Sequence, residues 1–337
     1  MRYRILFIPI ILICFSFSLA AQQNALPLLK VQGNKIVNEK NETLVFHGVN
    51  LSDPDKLDKA GKWTKDYFQE AKNWGSQIIR IPIHPSAWRT RGAASYLKLL
   101  DDGVQWATEL GMYVILDWHS IGNLRTELYQ NEMYNTTRKE TFEFWKTMAS
   151  HFRGNNTVAF YEIFNEPTTA GNTLGTCSWS EWKSICTDII RIILANNPKA
   201  IPLVAGFDWA YDLTPLALDP LDIPGIAYVS HPYPEKRGQP WEPQWERDFG
   251  FAASKYPVFA TEIGFALPTE KGVHVPVHGD EDYGKRITDY FQGRGISWVV
   301  WVFDPDWAPM MFKDWNYTPT HQGEFFRSVM LKLNQKK

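Results

Sequence analysis

Glu166 and Glu262 are the two residues of this chain whose type and setting could perform chemistry together. Each is predicted to terminate an apolar strand, Phe160–Phe164 for Glu166 and Val258–Ala260 for Glu262. One carboxyl group can protonate a leaving oxygen while the other attacks the anomeric carbon or activates a water molecule, and this division of roles cleaves a bond between two sugars. A lone glutamate at a strand end more often caps a helix or pairs with arginine, so the hypothesis requires both groups in one site.

Three further polar residues could support such a pair. Asn165 directly precedes Glu166 and could hold a sugar 2-hydroxyl, although it could also be a turn residue before a proline. Arg80 lies within an apolar strand, where burying an unpaired charge is costly. We therefore expect it to pair with a carboxylate and predict that the partner is Glu262. Tyr233 could donate a hydrogen bond to the same carboxylate.

Two histidines and one tryptophan complete the candidate site. His119 and His231 could orient the carboxyl groups or bind sugar hydroxyls, and the alternative for each is a histidine of the core. Trp301 could form the floor under the sugar at the cleavage point, and its alternative is packing inside the fold.

These residues need elements that bring them together, and the chain alternates short apolar runs with longer helical patterns. The predicted strands are Leu44–Gly48, Ile78–Ile83, Tyr113–Asp117, Ala159–Phe164, Pro202–Ala205, Ile226–Ser230, Val258–Glu262 and Ser297–Val302. The predicted helices are Thr64–Trp74, Tyr96–Leu110, Arg138–Phe152, Ser180–Asn196, Pro243–Lys255, Asp282–Gln292 and Gly323–Leu333, with a weaker one near Trp209–Leu218. Ser178 or Ser180 is expected to cap the fourth of these, with Glu181 in its first turn. Continuous apolar strands alternating with helices predict an α/β fold, a single-domain (β/α)8 TIM barrel. The candidate residues follow or lie in these strands, and barrel chemistry is found at their carboxyl ends.

The first residues indicate export. Arg2 and Arg4 precede the apolar run Ile5–Leu19, and small residues follow it, which is the layout of a secretory signal peptide. We therefore expect residues 1–21 to be removed and residues 22–337 to form the barrel domain, in the periplasm or outside the cell. The alternative of a membrane anchor is disfavoured because a span needs about 20 apolar residues. Residues 22–43 are expected to form a short N-terminal hairpin under the barrel, with its turn at Gly33-Asn34.

The composition excludes some partners and favours others. The formal net charge is -2 and no basic stripe is present, so nucleic acid is not an expected partner. The 15 Trp, 14 Tyr and 20 Phe include tryptophans in predicted loops, and aromatic faces can stack on sugar rings. Those loop tryptophans are Trp88, Trp209, Trp241, Trp245, Trp307 and Trp315.

No second apolar run is long enough to span a membrane, and we expect a monomer. Cys177 and Cys186 could form a disulfide in an exported chain, but we favour two free thiols, because Cys186 lies in a predicted helix and Cys177 just before it, which tends to hold them too far apart.

Six segments in this order resemble glycoside hydrolase family 5. They are Ile78-Ile79-Arg80-Ile81-Pro82, Val114-Ile115-Leu116-Asp117-Trp118-His119, Ile163-Phe164-Asn165-Glu166-Pro167, His231-Pro232-Tyr233, Thr261-Glu262-Ile263-Gly264 and Trp298-Val299-Val300-Trp301. The resemblance spans residues 44–303, which is nearly the whole expected mature chain.

That resemblance implies a retaining hydrolase with Glu166 as acid/base and Glu262 as nucleophile. It also implies a supporting set of Arg80, His119, Asn165, His231, Tyr233 and Trp301, with no metal and no cofactor. The expected substrate is a polysaccharide or oligosaccharide, and we favour endo cleavage of a β-1,4-glucan such as cellulose or mixed-linkage β-glucan. The alternatives are a β-mannanase, a xylanase or another β-glycanase, a non-catalytic β-glycan-binding protein, and a metal-dependent hydrolase using Asp117, His119 and His231.

Overall fold

The computed structural model describes residues 26–335, so the expected signal peptide lies outside the described residues. The strands are β1 Lys30–Gln32, β2 Lys35–Val37, β3 Thr43–Leu44, β4 His47–Asn50, β5 Ile78–Ile83, β6 Tyr113–Trp118, β7 Ile121–Asn123, β8 Leu128–Tyr129, β9 Val158–Glu162, β10 Glu166–Pro167, β11 Ile201–Ala205, β12 Ala227–Val229, β13 Val258–Ile263 and β14 Ser297–Val300. The helices are α1 Pro54–Lys59, α2 Lys65–Asn73, α3 Pro85–Arg91, α4 Ala93–Glu109, α5 Arg138–His151, α6 Trp179–Asn196, α7 Phe207–Ala210, α8 Trp241–Asp248, α9 Glu281–Arg294 and α10 His321–Asn334.

Eight parallel strands close into a barrel in the order β4-β5-β6-β9-β11-β12-β13-β14. Strands β5 and β6 are buried at every position, because the barrel core covers one face and the helices cover the other. The predicted (β/α)8 barrel is therefore confirmed, and the carboxyl ends of its strands meet at one mouth.

Most predicted strands differ from the observed ones by one or two residues at their ends, and two of the differences matter for the site. Thr43–Leu44 pairs with β2 outside the barrel, so the first barrel strand begins only at His47 and runs to Asn50. The fourth barrel strand ends at Glu162. Glu166 follows on the separate strand β10, which pairs with β7 in register Glu166↔Ile121. The prediction that Glu166 directly terminates a barrel strand is wrong, because the barrel strand ends four residues earlier and Glu166 itself begins β10.

The predicted N-terminal hairpin is confirmed. Strands β1 and β2 are antiparallel and their turn contains Gly33 at φ +60°, a conformation that glycine adopts without steric cost. Leu29 and Ile36 pack against Ile78 and Phe160, near the amino ends of the barrel strands. The hairpin therefore closes the end of the barrel opposite the mouth.

Most predicted helices are present, and two differ. The predicted helix Pro243–Lys255 is the helix α8 followed by a 3-10 turn, Gly250–Ser254. The weak prediction at Trp209–Leu218 is wrong, because that region holds the short turn α7 and a 3-10 turn at Thr214–Ala217. Helix α6 begins as predicted, at a capping box formed by Ser178 and Glu181.

Cys177 and Cys186 are free thiols, as expected from their placement. No helix within residues 26–335 combines the length and the apolar character needed to cross a bilayer.

Candidate active site

A cleft of about 800 Å³ opens at the barrel mouth, where the predicted catalytic residues meet. Both glutamates line it, together with Asn165, Tyr233 and Trp301. His119, Asp208, Trp209, Lys236 and Trp307 also line the cleft.

Glu166 and Glu262 face each other across this cleft. A carboxylate oxygen of each and a ring nitrogen of His231 all lie within 4.8 Å of one another. Glu166 is on β10 and Glu262 on β13, and each residue is less than a tenth exposed. The short separation resembles the roughly 5–5.5 Å spacing of a retaining pair and is below the roughly 6.5–9.5 Å of an inverting pair.

Arg80 is fully buried and contacts three carboxyl groups. Its guanidinium forms a bidentate pair with Glu162 at 2.7 and 2.9 Å, and donates to Glu262 Oε1 at 2.9 Å. Asp117 Oδ2 lies 3.0 Å from Nη2. The predicted pairing with Glu262 is present, but the prediction was incomplete because the bidentate partner is Glu162. These charges raise the pKa of Arg80, outweighing the opposing effect of its burial.

Burial also acts on the carboxyl groups of this cluster. It raises the pKa of Glu262, while the positive charges of His231 and Arg80 oppose the rise. It raises the pKa of Asp117 well above its ordinary value, against the influence of Arg80. For Glu162 the bidentate arginine and His231 overcome burial and lower the pKa.

His231 connects both halves of the site. Its Nδ1 lies 3.0 Å from Glu166 Oε1, and its Nε2 lies 2.9 Å from Thr261 Oγ1. Thr261 in turn donates to Glu162 Oε1 at 2.9 Å. Burial lowers the pKa of His231, but Glu262, Glu162 and Glu166 outweigh it and raise the pKa to about 9. The ring is therefore an imidazolium near neutral pH, and both of its N–H groups donate.

Tyr233 makes the contact predicted for it, whereas Asn165 bonds to Arg80, a contact that was not predicted. Asn165 Oδ1 accepts from Arg80 Nη2 at 2.6 Å, while its buried Nδ2 has no hydrogen-bond partner among residues 26–335. A buried donor without an acceptor is costly, so this amide is placed to bind a ligand in the cleft. The Tyr233 hydroxyl donates to Glu262 Oε2 at 2.8 Å.

Aromatic rings form one wall of the cleft. Trp301 lies parallel to the ring of His119 at a centroid distance of 5.2 Å, and parallel to Trp307 at 6.2 Å. His119 Nδ1 is 2.6 Å from Asp117 Oδ2. Burial and the neighbouring positive groups lower the pKa of His119 well below its ordinary value, so the ring is neutral. This wall presents flat faces to a sugar ring.

Only part of the predicted set of loop tryptophans reaches the cleft. Trp209 and Trp307 line it. Trp315 instead packs against Tyr67 and Phe312 outside it. The remaining three, Trp88, Trp241 and Trp245, are buried in the core.

Sequence reasoning missed Glu162, Asn50 and Thr261. Asn50 Oδ1 accepts from Arg80 Nη1 at 2.9 Å, and its own amide donates to the Thr261 carbonyl at 3.0 Å. The sequence did contain a signal for Glu162, because it is a charged residue inside an apolar strand. Arg80 is another such residue. Two such charges on strands of one barrel are expected to pair.

One cluster of potential metal ligands occurs among the described residues, and it is Glu166, His231 and Glu262. The alternative set of Asp117, His119 and His231 does not form such a cluster within residues 26–335. A metal needs the lone pair of a neutral imidazole. Since both nitrogens of His231 act as donors, this histidine is poorly suited to be a ligand.

Known proteins resemble the chain over most of its length. A β-glucanase from Saccharophagus degradans, solved in complex with cellotetraose, is 48% identical and superposes with a TM-score of 0.91, covering 92% of this chain and 94% of that one. An endoglucanase from Paenibacillus polymyxa is 25% identical over 84% of this chain and 82% of its own length. Endoglucanase A of Evansella cellulosilytica is 28% identical over 71% of this chain, and the match spans only 44% of that longer protein.

The family model "Cellulase (glycosyl hydrolase family 5)" matches residues 37–306. That range contains every residue of the candidate site, from Arg80 to Trp301. The chain belongs to the cellulase family, glycosyl hydrolase family 5.

Proposed function

We propose that this chain is a retaining, endo-acting glycoside hydrolase that cleaves β-1,4-glucan, either cellulose or mixed-linkage β-glucan. The observation that carries the proposal is the pair Glu166 and Glu262, whose carboxylate oxygens approach within 4.8 Å in a cleft lined by aromatic rings. The likeness to a β-glucanase solved with cellotetraose supports the choice of substrate.

The reaction is a double displacement. Glu262 attacks the anomeric carbon and forms a glycosyl ester, while Glu166 gives its proton to the departing glycosidic oxygen. Glu166 then takes a proton from a water molecule, and this water attacks the glycosyl ester. The attack releases Glu262 and restores the original configuration of the anomeric carbon. Two hydrogen bonds, from Arg80 and Tyr233, orient the nucleophile, one to each of its oxygens.

The remaining residues hold the substrate and the acid/base. The unpartnered amide of Asn165 is assigned to the 2-hydroxyl, where a contact strengthens as charge develops in the transition state. Trp301 is assigned to the floor under the sugar that is attacked. His231 holds Glu166 by a 3.0 Å hydrogen bond, and His119 orients Trp301 by stacking.

The two glutamates are tested by separate substitutions. Glu262→Ala is expected to abolish turnover. Glu166→Ala should reduce turnover of cellotetraose by about 10²–10⁴-fold, the usual contribution of general acid–base catalysis. The same variant should still release a dinitrophenol leaving group that needs no proton, and azide should accelerate its second step. Glu143→Ala, which removes an exposed glutamate on α5, is the matched control. Equal losses of Glu166→Ala on both substrates would remove its assignment as acid.

A substrate panel tests the proposed glucan. Reducing-sugar release is measured on carboxymethylcellulose, barley β-glucan, mannan and xylan, and viscosity is followed to detect internal cleavage. We expect cleavage of the β-glucans with an early fall in viscosity. Cleavage of mannan or xylan alone would assign the chain to another β-glycan, and binding without any hydrolysis would favour the non-catalytic alternative.

A strong chelator tests the metal-dependent alternative. Since His231 already donates from both nitrogens, we expect activity on β-glucan to survive EDTA unchanged. Loss of activity on chelation, with recovery on adding a divalent ion, would favour the metal-dependent reaction.

Export of the chain through residues 1–21 completes the proposal. It rests on the basic start and the apolar run of those residues. Mass spectrometry of the protein recovered outside the cytoplasm should find a chain that begins near residue 22. Recovery of a full-length chain in the cytoplasm alone would contradict it.

A further inference from the structure

Lys236 is a nearly buried lysine in the wall of the cleft. It ends the 3-10 turn Pro234–Lys236 that follows β12, and its side chain is 9% exposed. Its Nζ donates to the Asp208 carbonyl at 2.8 Å and lies 4.8 Å from the ring centroid of Trp209. Both Lys236 and Trp209 line the cleft.

The ammonium group of Lys236 has N–H donors that are not used in hydrogen bonds with residues 26–335. It carries three N–H groups, and one of them is used in a hydrogen bond among residues 26–335. The nearest carboxylate contact, to Asp208 Oδ1, is 4.0 Å long. Burial lowers the pKa of Lys236, and the charges of Glu166 and Asp208 oppose that effect. Its ammonium is thus within electrostatic reach of the acid/base and turned toward a space that a ligand would fill.

The order of the barrel strands, together with the contact between Lys236 and Asp208, places Lys236 on the leaving-group side. Glu166 follows the fourth barrel strand, β9, and Trp301 follows the eighth, β14, on the opposite side of the mouth. Trp209 follows the fifth strand, which is next to the strand that precedes Glu166. Lys236 follows the sixth strand, and its hydrogen bond to the Asp208 carbonyl holds it beside Trp209. The departing sugar must lie beyond the oxygen that Glu166 protonates, away from Trp301. The space beside Trp209 and Lys236 meets that condition.

The segment that carries Trp209 is held in an unusual conformation. Asp208, Trp209 and Ala210 have φ values of +57°, +53° and +60°, in the left-handed region that residues with side chains rarely adopt. Lys236 donates a hydrogen bond to the backbone carbonyl of Asp208, and the side-chain carboxylate of Asp208 accepts one from Arg237 Nη1 at 3.1 Å. Such strain persists only where surrounding contacts enforce it, and it concentrates at ligand sites.

We propose that Lys236 is a specificity-determining residue, whose ammonium donates hydrogen bonds to hydroxyl groups of the sugar on the leaving-group side, beside the ring of Trp209. This inference rests on the proposed glycosidase function. It differs from a purely structural role, in which Lys236 only braces the left-handed turn and makes no contact with substrate.

The two roles separate when the leaving group is varied. Lys236→Met is compared with the unchanged protein on cellotetraose, which leaves a sugar, and on a dinitrophenyl cello-oligosaccharide, which leaves no sugar. We expect kcat/KM on cellotetraose to fall by about ten- to a hundredfold, the range for a lost charged hydrogen bond, with release of dinitrophenol unchanged. Lys236→Arg keeps a cationic donor and should recover part of the loss.

Lys62→Met is the matched control, because Lys62 also lies over a tryptophan, Trp315, at 5.1 Å but outside the cleft. Equal losses on both substrates, together with a lower melting temperature, would assign Lys236 to bracing and overturn the inference. Unchanged kcat/KM on both would overturn it as well. If the unchanged protein hydrolyses neither substrate, it is the proposed function that fails.

Discussion

At the scale of single residues, the site depends on one buried arginine. Arg80 contacts Glu162, Glu262 and Asp117 with its side chain fully buried. A planar guanidinium can serve several carboxylates at once because its five donors point in fixed directions. The same arrangement makes each acidic residue dependent on the arginine, since every one of them is buried.

Arg80→Met should therefore be strongly destabilising. Removing the cation leaves buried carboxylates uncompensated, and a loss of about 3–5 kcal/mol in the free energy of unfolding is expected. Urea denaturation measures it. Arg89→Met is the control, because Arg89 pairs with Glu140 at the surface and should cost at most about 1 kcal/mol. Similar losses in both variants would show that Arg80 is not the centre of the charge network.

His231 makes the stability of the folded protein depend on pH in the alkaline range. Because folding raises its pKa to about 9 from an ordinary value near 6.5, its stabilising charge is fully present below about pH 6.5. That contribution is lost as pH rises through about 9. The melting temperature of the unchanged protein should thus fall between pH 7 and 10 by more than that of His231→Asn. Parallel falls in the two proteins would contradict the assignment of a charged His231.

At the scale of elements, the close approach of neighbouring barrel strands limits the size of the side chain that a position can hold. A Cβ added to Gly48 on β4 would lie 1.8 Å from the carbonyl oxygen of Ile78 on β5. Gly48→Ala must therefore push two barrel strands apart, and a loss of about 1–3 kcal/mol or more is expected from the overpacking. Thermal unfolding measures the effect.

Gly293 provides the opposite case on a helix. It lies in α9, and a Cβ added to it would meet no packing neighbour within 4 Å. Gly293→Ala should stabilise the protein by up to about 1 kcal/mol, because alanine favours the helix over glycine. A destabilising Gly293→Ala, or a neutral Gly48→Ala, would contradict these packing arguments.

At the scale of the whole molecule, the N-terminal hairpin and the cleft lie at opposite ends of the barrel. Ile36 of the N-terminal hairpin is buried against the apolar cluster at the amino ends of the strands, away from the cleft. Ile36→Ala should cost about 2–5 kcal/mol, as deletion of a buried isoleucine usually does. Activity on β-glucan, measured well below the melting temperature, should be unchanged. A fall in kcat without a fall in melting temperature would show that the hairpin influences the site.

The sequence by itself determined the barrel and the candidate pair. Apolar runs of strand length, alternating with amphipathic helices, leave few other ways to bury both faces of a parallel sheet. Since all parallel strands of a barrel end at one mouth, Arg80, Glu262 and the other strand-end residues could be placed together from their order in the chain. The helix start at Ser178 was equally readable, because capping is a local interaction.

Only the tertiary structure decided which side chains contact one another. Glu162 could be taken for an ordinary strand residue until the stagger of the barrel put it opposite Arg80, two strands away. The left-handed turn at Asp208–Ala210 is unfavourable locally and exists through contacts with distant Lys236 and Arg237. Residue patterns report what a segment prefers on its own, whereas such contacts depend on distances that the closed barrel alone sets.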